Sequence, residues 1–243
     1  MKVARGIHLE TLGIVNWYMV EDGGKLTLID AGTPRDWALF EQEVRSLGRD
    51  IDDVDAILLT HAHSDHTGFA EQARKEAGAR VFVHEADAER ARGAKPPKNE
   101  TGFARYLAHA EAWRTTIGLL RRGAAKLVPI AEVSTFADGE TIDVPGRPRA
   151  VHAPGHTDGC AALLFEDRSA LCTGDCLVTH NPLTGRDGPQ IMPAGFNQSS
   201  DRALQSLSSL EATGAQTVLP GHGEPWTDGV RDAVARARAA GRS

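Results

Sequence analysis

Three cysteines, Cys160, Cys172 and Cys176, are too few and odd in number for a disulfide framework. No apolar run approaches the ~20 residues that span a bilayer. Positive charge is in the minority: 27 Lys and Arg against 33 Asp and Glu leave a formal charge of −6. That balance favours neither nucleic acid nor an anionic membrane as a partner, and a small-molecule substrate is expected instead. The opening stretch "MKVARGIHLE" lacks the apolar core of a secretory signal, so a cytoplasmic location is expected. There is no Gly-x-Ser-x-Gly elbow to carry a nucleophilic serine. No strong repeat, low-complexity tract or domain boundary interrupts the chain. What remains is ordinary globular composition, 41% hydrophobic and 25% charged, in a chain of 243 residues that can bury a sizeable core.

The patterning predicts an α/β protein. Strands are expected at "ARGIHLE", "IVNWYMV" and "KLTLID", then a helix from Pro34 to about Leu47. "VDAILLT" (54–60) reads as a buried strand, "GFAEQARKEAG" as a helix closed by Gly78, and "RVFVH" as the next strand. After the break "GAKPPKN" (93–99), residues 101–122 place Phe103, Leu107, Ala110, Trp113, Ile117 and Leu120 on one helical face. That stripe predicts a helix docked on the core, or a helical insert at about 93–122 roofing a substrate site. Strands return at "EVSTFAD", "ETIDVP", "RPRAVHAPG", "CAALLFE" and "SALCTGD". A helix at about 200–213, the strand "AQTVLPG" and a last helix at about 229–241 complete the pattern. Two sheets covered by helices in one domain, 1–243, follow from this alternation.

The stretch "THAHSDHTG" (60–68) crowds His61, His63, Asp65 and His66 onto the loop that ends a strand. In a chain with ten histidines, roughly 0.001 chance occurrences of His-x-His-x-Asp-His are expected. Three further candidates stand in the same context, at the end of an apolar run and beside a glycine: His156 in "HAPGHTDG", Asp175 in "LCTGDCL" and His222 in "VLPGHGEP". Seven such groups exceed the four that one tetrahedral zinc accepts and suit two cations about 3.5–4 Å apart. Imidazoles and carboxylates without an obligatory thiolate fit zinc, iron and manganese alike.

At these residues the chain resembles the metallo-β-lactamase superfamily. The matching stretches are "LIDAG" (28–32), "THAHSDHTG" (60–68), "APGHTDG" (153–159), "TGD" (173–175) and "PGHGEP" (220–225), in the family's order. The resemblance implies a four-layer αββα sandwich, two mixed sheets flanked by helices. It implies that His61, His63 and His156 bind one divalent metal ion and that Asp65, His66 and His222 bind a second. Asp175 would bridge them, with zinc the expected metal and iron or manganese as alternatives. Asp30 would orient a ligand or its loop, or cap the turn that follows. The implied enzyme is a dinuclear metal-dependent hydrolase. Its cations would turn a shared water into hydroxide for attack on an ester, thioester, lactone or amide carbonyl, and Asp65 would orient that nucleophile and accept its proton.

Substrate choice is expected in the glycine- and proline-rich stretch 180–198, read as an irregular loop of the functional-lid kind. Candidate contacts there are His180, Asn181, Arg186, Phe196 and Asn197, with His180 as a donor to a developing oxyanion. His8, His84, His109 and His152 are expected to be structural or solvated, and Cys176 a small buried hydrophobe. β-Lactam hydrolysis is disfavoured by the missing export signal. The alternative activity is oxidative, because "GHTDGC" (155–160) resembles a stretch of mono-iron persulfide dioxygenases of the same fold. A nuclease is disfavoured by the acidic charge.

Overall fold

Strand alternation builds the molecule's layers. The computed structural model describes all residues, 1–243. In order along the chain its strands are β1 (Lys2–Ala4), β2 (Ile7–Thr11), β3 (Asn16–Asp22), β4 (Lys25–Ile29), β5 (Val54–Leu59), β6 (Arg80–His84), β7 (Ser134–Phe136), β8 (Arg149–His152), β9 (Ala161–Phe165), β10 (Ala170–Gly174), β11 (Val178–His180), β12 (Asp187–Gln190) and β13 (Thr217–Pro220). The helices are α1 (Trp37–Ser46), α2 (Ala70–Glu76), α3 (Ala88–Ala91), α4 (Ala110–Arg121), α5 (Ser200–Ala212) and α6 (Val230–Ala240).

Strands β1 to β7 form one sheet in sequential order. Its first four strands pair antiparallel, and β4 to β7 pair parallel through crossovers carrying α1, then α2, then α3 with α4. The second sheet has the order β13-β10-β9-β8, with β10 parallel to β13 and the other pairs antiparallel. Along β5, Ala56 and Leu58 face the second sheet, whereas Ile57 and Leu59 face the helices with Phe40, Val44, Ala70 and Ala73. Along β9, Leu163 and Phe165 face the first sheet, whereas Ala162 and Leu164 face α5 and α6 through Leu207, Leu210 and Val234. Period-two alternation on both sheets therefore yields one core between the sheets and one outside each, the helix–sheet–sheet–helix sandwich. Each fully buried Leu, Ile or Phe contributes roughly 1.5–3 kcal/mol to this arrangement. No helix is long and apolar enough to cross a membrane.

Three expectations need correction. "ETIDVP" is not a strand: only Thr141 bridges to Arg149, although Ile142 and Val144 still fill the core between the sheets. The stretch 180–198 is not an irregular loop. Strand β12 lies within it and pairs antiparallel with β11, which ends at His180, and Ile191, Met192 and Asn197 are buried. The stripe on 101–122 does not dock on the core. Leu107, Trp113, Ile117 and Leu120 are 44–57% exposed, and the helix buries Ala112 and Thr115 instead. The physical reason is close approach: Gly118 abuts Ile14, so tightly that a Cβ there would collide with its Cδ1. Small residues fit so narrow a gap, and Trp113, Ile117 and Leu120 turn outward.

Candidate metal centre

The seven candidate side chains converge at one rim of the sandwich, where β5, β10 and β13 end. The loop after β5 is shaped from below by Asp30, at the end of β4. One of its oxygens accepts the Thr60 backbone N–H at 2.8 Å, and the other accepts the Thr60 hydroxyl at 2.8 Å and the His66 Nδ1–H at 2.9 Å. Asp30 itself sits at φ +62°, a left-handed conformation that Asp tolerates better than most residues. It therefore both fixes the turn and orients His66.

The same logic fixes the other rings. His222 Nδ1–H donates to the Ile14 carbonyl at 2.6 Å, and His156 Nδ1–H donates to Asn197 Oδ1 at 3.3 Å. The Asn197 amide is oriented by its own donation to the Met192 carbonyl at 2.6 Å. These partners assign the proton to Nδ1 in His66, His156 and His222, and so leave a bare Nε2 lone pair aimed inward in each. Behind His222, Gly221 lets the chain pass Asp175, because a side chain there would collide with Asp175 Oδ1.

Three sets of donor atoms result: His61, His63 and His156; His61, His66 and Asp175; and Asp65, His66 and His222. In the first set His156 Nε2 lies 2.8 Å from His63 Nδ1 and 3.2 Å from His61 Nε2, and His61 Nε2 lies 3.2 Å from His63 Nδ1. Asp175 sits between the sets, with Oδ2 3.2 Å from His156 Nε2 and 3.5 Å from His222 Nε2, and Oδ1 3.5 Å from His66 Nε2. Asp65 Oδ2 is 3.7 Å from His222 Nε2 and 3.9 Å from His66 Nε2.

This donor set fits divalent cations. His66 Nε2, His222 Nε2 and Asp175 Oδ1 are buried without a hydrogen-bond partner, a costly state unless another ligand completes them. A tetrahedral ion with bonds of 2.0–2.1 Å holds its nitrogens ~3.3 Å apart, close to the spacing of the three-histidine set. Burial pushes His61 well down and His156 to about 3, despite the pull of Asp175, which keeps both imidazoles in the neutral form that ligates. Burial also opposes charge on His66 and His222, but Asp175 and the neighbouring carboxylates outweigh it and raise both. Asp175 is likewise pushed up by burial, and His222 and His66 overcome this and hold it far below the ordinary carboxylate range.

A cavity of about 170 Å³ opens over the cluster. His63, Asp65, His156, Asp175 and His222 form its floor, and Arg90, Asn99, Leu119, Met192 and Phe196 stand among its walls. Of the proposed substrate contacts, Phe196 faces this cavity. Asn197 instead orients His156. Asn181 is fully buried and accepts the Leu183 and Thr184 backbone N–H groups, and Arg186 is exposed. His180 lines a neighbouring cleft of about 230 Å³, with Nδ1 2.7 Å from Asp187 and Nε2 3.4 Å from Glu111. Thr115 and Pro182 line both spaces. Cys160, in the dioxygenase-like stretch, is buried beside Cys176 with 2.7 Å between sulfurs, and neither cysteine joins a donor set. His84 and His152 stack at 4.0 Å away from the cluster, and His8 pairs with Glu21.

One residue that sequence reasoning overlooked ties the centre together. Asp87, 3% exposed, accepts the Ala62 N–H and the Thr157 hydroxyl at Oδ2 and the Gly159 N–H at Oδ1, each at 2.9 Å. It thereby joins the loop carrying His61 and His63 to the loop carrying His156. In "HEADAERA" it reads as an ordinary helix-start aspartate, and no local signal separates it from one.

A family model described as the metallo-beta-lactamase superfamily matches residues 11–222. The probable metallo-hydrolase YflN of Bacillus subtilis is 25% identical over 240 residues, covering 93% of this chain and 87% of the relative. The human acyl-coenzyme A thioesterase MBLAC2 is 30% identical over 169 residues, covering 68% of this chain and 54% of the relative. Among solved structures, the metallo-beta-lactamase family protein TTHA1429 from Thermus thermophilus superposes with a TM-score of 0.69 at 30% identity, covering 97% of this chain and 79% of that one.

Proposed function

The chain belongs to the metallo-β-lactamase superfamily, and from that premise we propose a dinuclear, zinc-dependent hydrolase of small acyl thioesters or esters. The observation that carries the reading is the convergence of seven donor side chains, three of which, His66, Asp175 and His222, present buried inward atoms without partners. The thioesterase among the relatives supports acyl transfer to water as the reaction class. His61, His63 and His156 would hold one ion, Asp65, His66 and His222 the other, and Asp175 would stand between them. Bound there, the cations supply Lewis acidity, polarising an acyl carbonyl and acidifying water.

The chain's own residues do the rest. Asp65 has a side chain 16% exposed against 2% for Asp175, so it is the carboxylate placed to take a proton from the attacking water and pass it to solvent. Asp30, Asn197 and the Ile14 carbonyl hold the imidazoles in their ligating tautomers. Leu119, Met192 and Phe196 give the acyl chain an apolar wall. For His180 we propose a place on the wall of the adjacent cleft rather than at the reacting atoms, because its ring nitrogens face Asp187 and Glu111.

Purified protein assayed on a panel of acyl thioesters and esters, with elemental analysis, tests the reading. Two metal ions per chain and turnover abolished by chelation are expected. Turnover that survives complete metal removal overturns the mechanism, and a stoichiometry of one or below overturns its dinuclear part.

A further inference from the structure

Arg90 stands out among the cavity's walls. It lies in α3 and lines the same cavity as His63, His156, Asp175 and His222. It forms no ion pair. Its one hydrogen bond runs from Nη1 to the Ala94 carbonyl at 2.9 Å, and its buried Nε has no partner. The nearby carboxylate of Asp87 is already spent on Ala62, Thr157 and Gly159. A partly buried guanidinium left unpaired carries a desolvation cost that a bound anion would offset.

The charge balance of the cavity points the same way. Its carboxylates are Asp65 and Asp175. A single divalent cation would neutralise both, which leaves the guanidinium as the remaining charge among the cavity's lining residues; the Asp87 carboxylate is not part of that lining. The neighbouring cleft has the opposite character: Glu111, Asp187 and Glu224 outnumber Arg114. An anionic substrate group is therefore attracted to the Arg90 wall and repelled from the other exit. The apolar side chains Leu119, Met192 and Phe196 line the same cavity and suit a short run of methylenes.

We propose that Arg90 receives a carboxylate at the far end of the substrate's acyl chain, so that the preferred substrates are half-thioesters or half-esters of a short dicarboxylic acid. This rests on the hydrolytic reading and names the substrate class of that site. The fork of Arg90 can take the two carboxylate oxygens side by side, while the leaving group departs past Thr115 and Pro182.

Two measurements on the metal-loaded protein test it. The first compares mono-4-nitrophenyl glutarate with 4-nitrophenyl hexanoate, esters of similar length that differ in the terminal charge. Wild-type kcat/KM is expected to favour the glutarate ester about tenfold, the size of one charge-assisted hydrogen bond. Arg90→Gln should erase the preference through KM rather than kcat, and Arg90→Lys should keep part of it. The second is calorimetric binding of glutarate against butyrate, which share one carboxylate for the cations and differ in the other. Wild type should prefer glutarate about tenfold, and Arg90→Gln should bind the two alike. An unchanged glutarate preference in Arg90→Gln, or none in wild type, overturns the proposal. If both esters resist hydrolysis while glutarate binding still depends on Arg90, the anion site stands and the hydrolytic reading falls. Ester turnover without any Arg90 dependence gives the reverse.

Discussion

The two halves of the metal centre are built differently. Four of its side chains, His61, His63, Asp65 and His66, ride on one loop after β5 and are held from below by Asp30 through the Thr60 backbone, the Thr60 hydroxyl and the His66 ring. The other three arrive singly. His156 depends on Asn197, His222 depends on the Ile14 carbonyl, and Asp175 stands at the end of β10 with one oxygen lacking any protein partner. The first half is a local unit whose shape is over-determined. The second half is correct only when distant pieces of chain are in register, so each of its members hangs on few contacts.

The largest effect expected from this asymmetry is at its most isolated member. Asp175→Ala should lower kcat by more than about 100-fold, beyond the cost of losing a partner that only orients a ligand. The same variant should lose at least one bound metal ion by elemental analysis. Retained activity and metal content would show that the two halves do not need the residue between them.

Asp87 offers the next test, because it bonds to both arms of the three-histidine set. Asp87→Ala leaves the buried Ala62 and Gly159 N–H groups without their partner and frees the His156 loop from the His61 loop. Metal affinity, measured by chelator competition, should fall about 10–100-fold. Asp87→Asn, which keeps an acceptor oxygen, should recover part of the loss. Equal affinity in wild type and Asp87→Ala would mean that each loop holds its own position unaided.

The smallest effect serves as a control outside the donor sets. Glu71 on α2 is held by the Arg74 guanidinium first, then by the Ala131 N–H and Lys75, which together lower its carboxyl to about 2 against the pull of burial. A depressed carboxylate stabilises the fold above its unfolded value of about 4.5 and loses that contribution as pH falls through about 2. Solvent screening at the Arg74 end limits the effect to about 1 kcal/mol. Glu71→Gln should therefore unfold at lower denaturant concentration at pH 7, with the difference shrinking below pH 4.5, and should bind metal like wild type. A matching loss of metal would mean that general stability, rather than the arms' own contacts, governs the centre.

Most of the architecture was legible because it follows local periodicity. The short apolar runs of β5 and β9 announced buried strands, and "LIDAG" and "THAHSDHTG" carried their turns within a few residues. The seven candidate donors stood out for a similar reason, since four crowd one short loop after a strand and His156, Asp175 and His222 each adjoin a glycine. The misread segments obey longer-range rules. The apolar stripe on α4 is genuine in the sequence, yet the gap beside Ile14 admits only the helix's small side. The glycines and prolines of 180–198 looked irregular, and the pairing of β12 there with β11 depends on contacts that no window of that length displays. Asn197 was singled out for the wrong role, because its partner His156 lies far away in the chain.

Composition and spacing alone determined the layered α/β class and singled out the seven candidate donors. Side-chain period and ligand chemistry are properties of short stretches, so they survive without coordinates. Only the tertiary structure decided which ring nitrogen of each histidine points inward, that Asp87 couples two loops, that His180 faces a separate cleft and that Arg90 stands unpaired above the donors. Those facts concern distances between groups brought together by packing, and hydrogen bonds and charge pairing act only over those few ångströms.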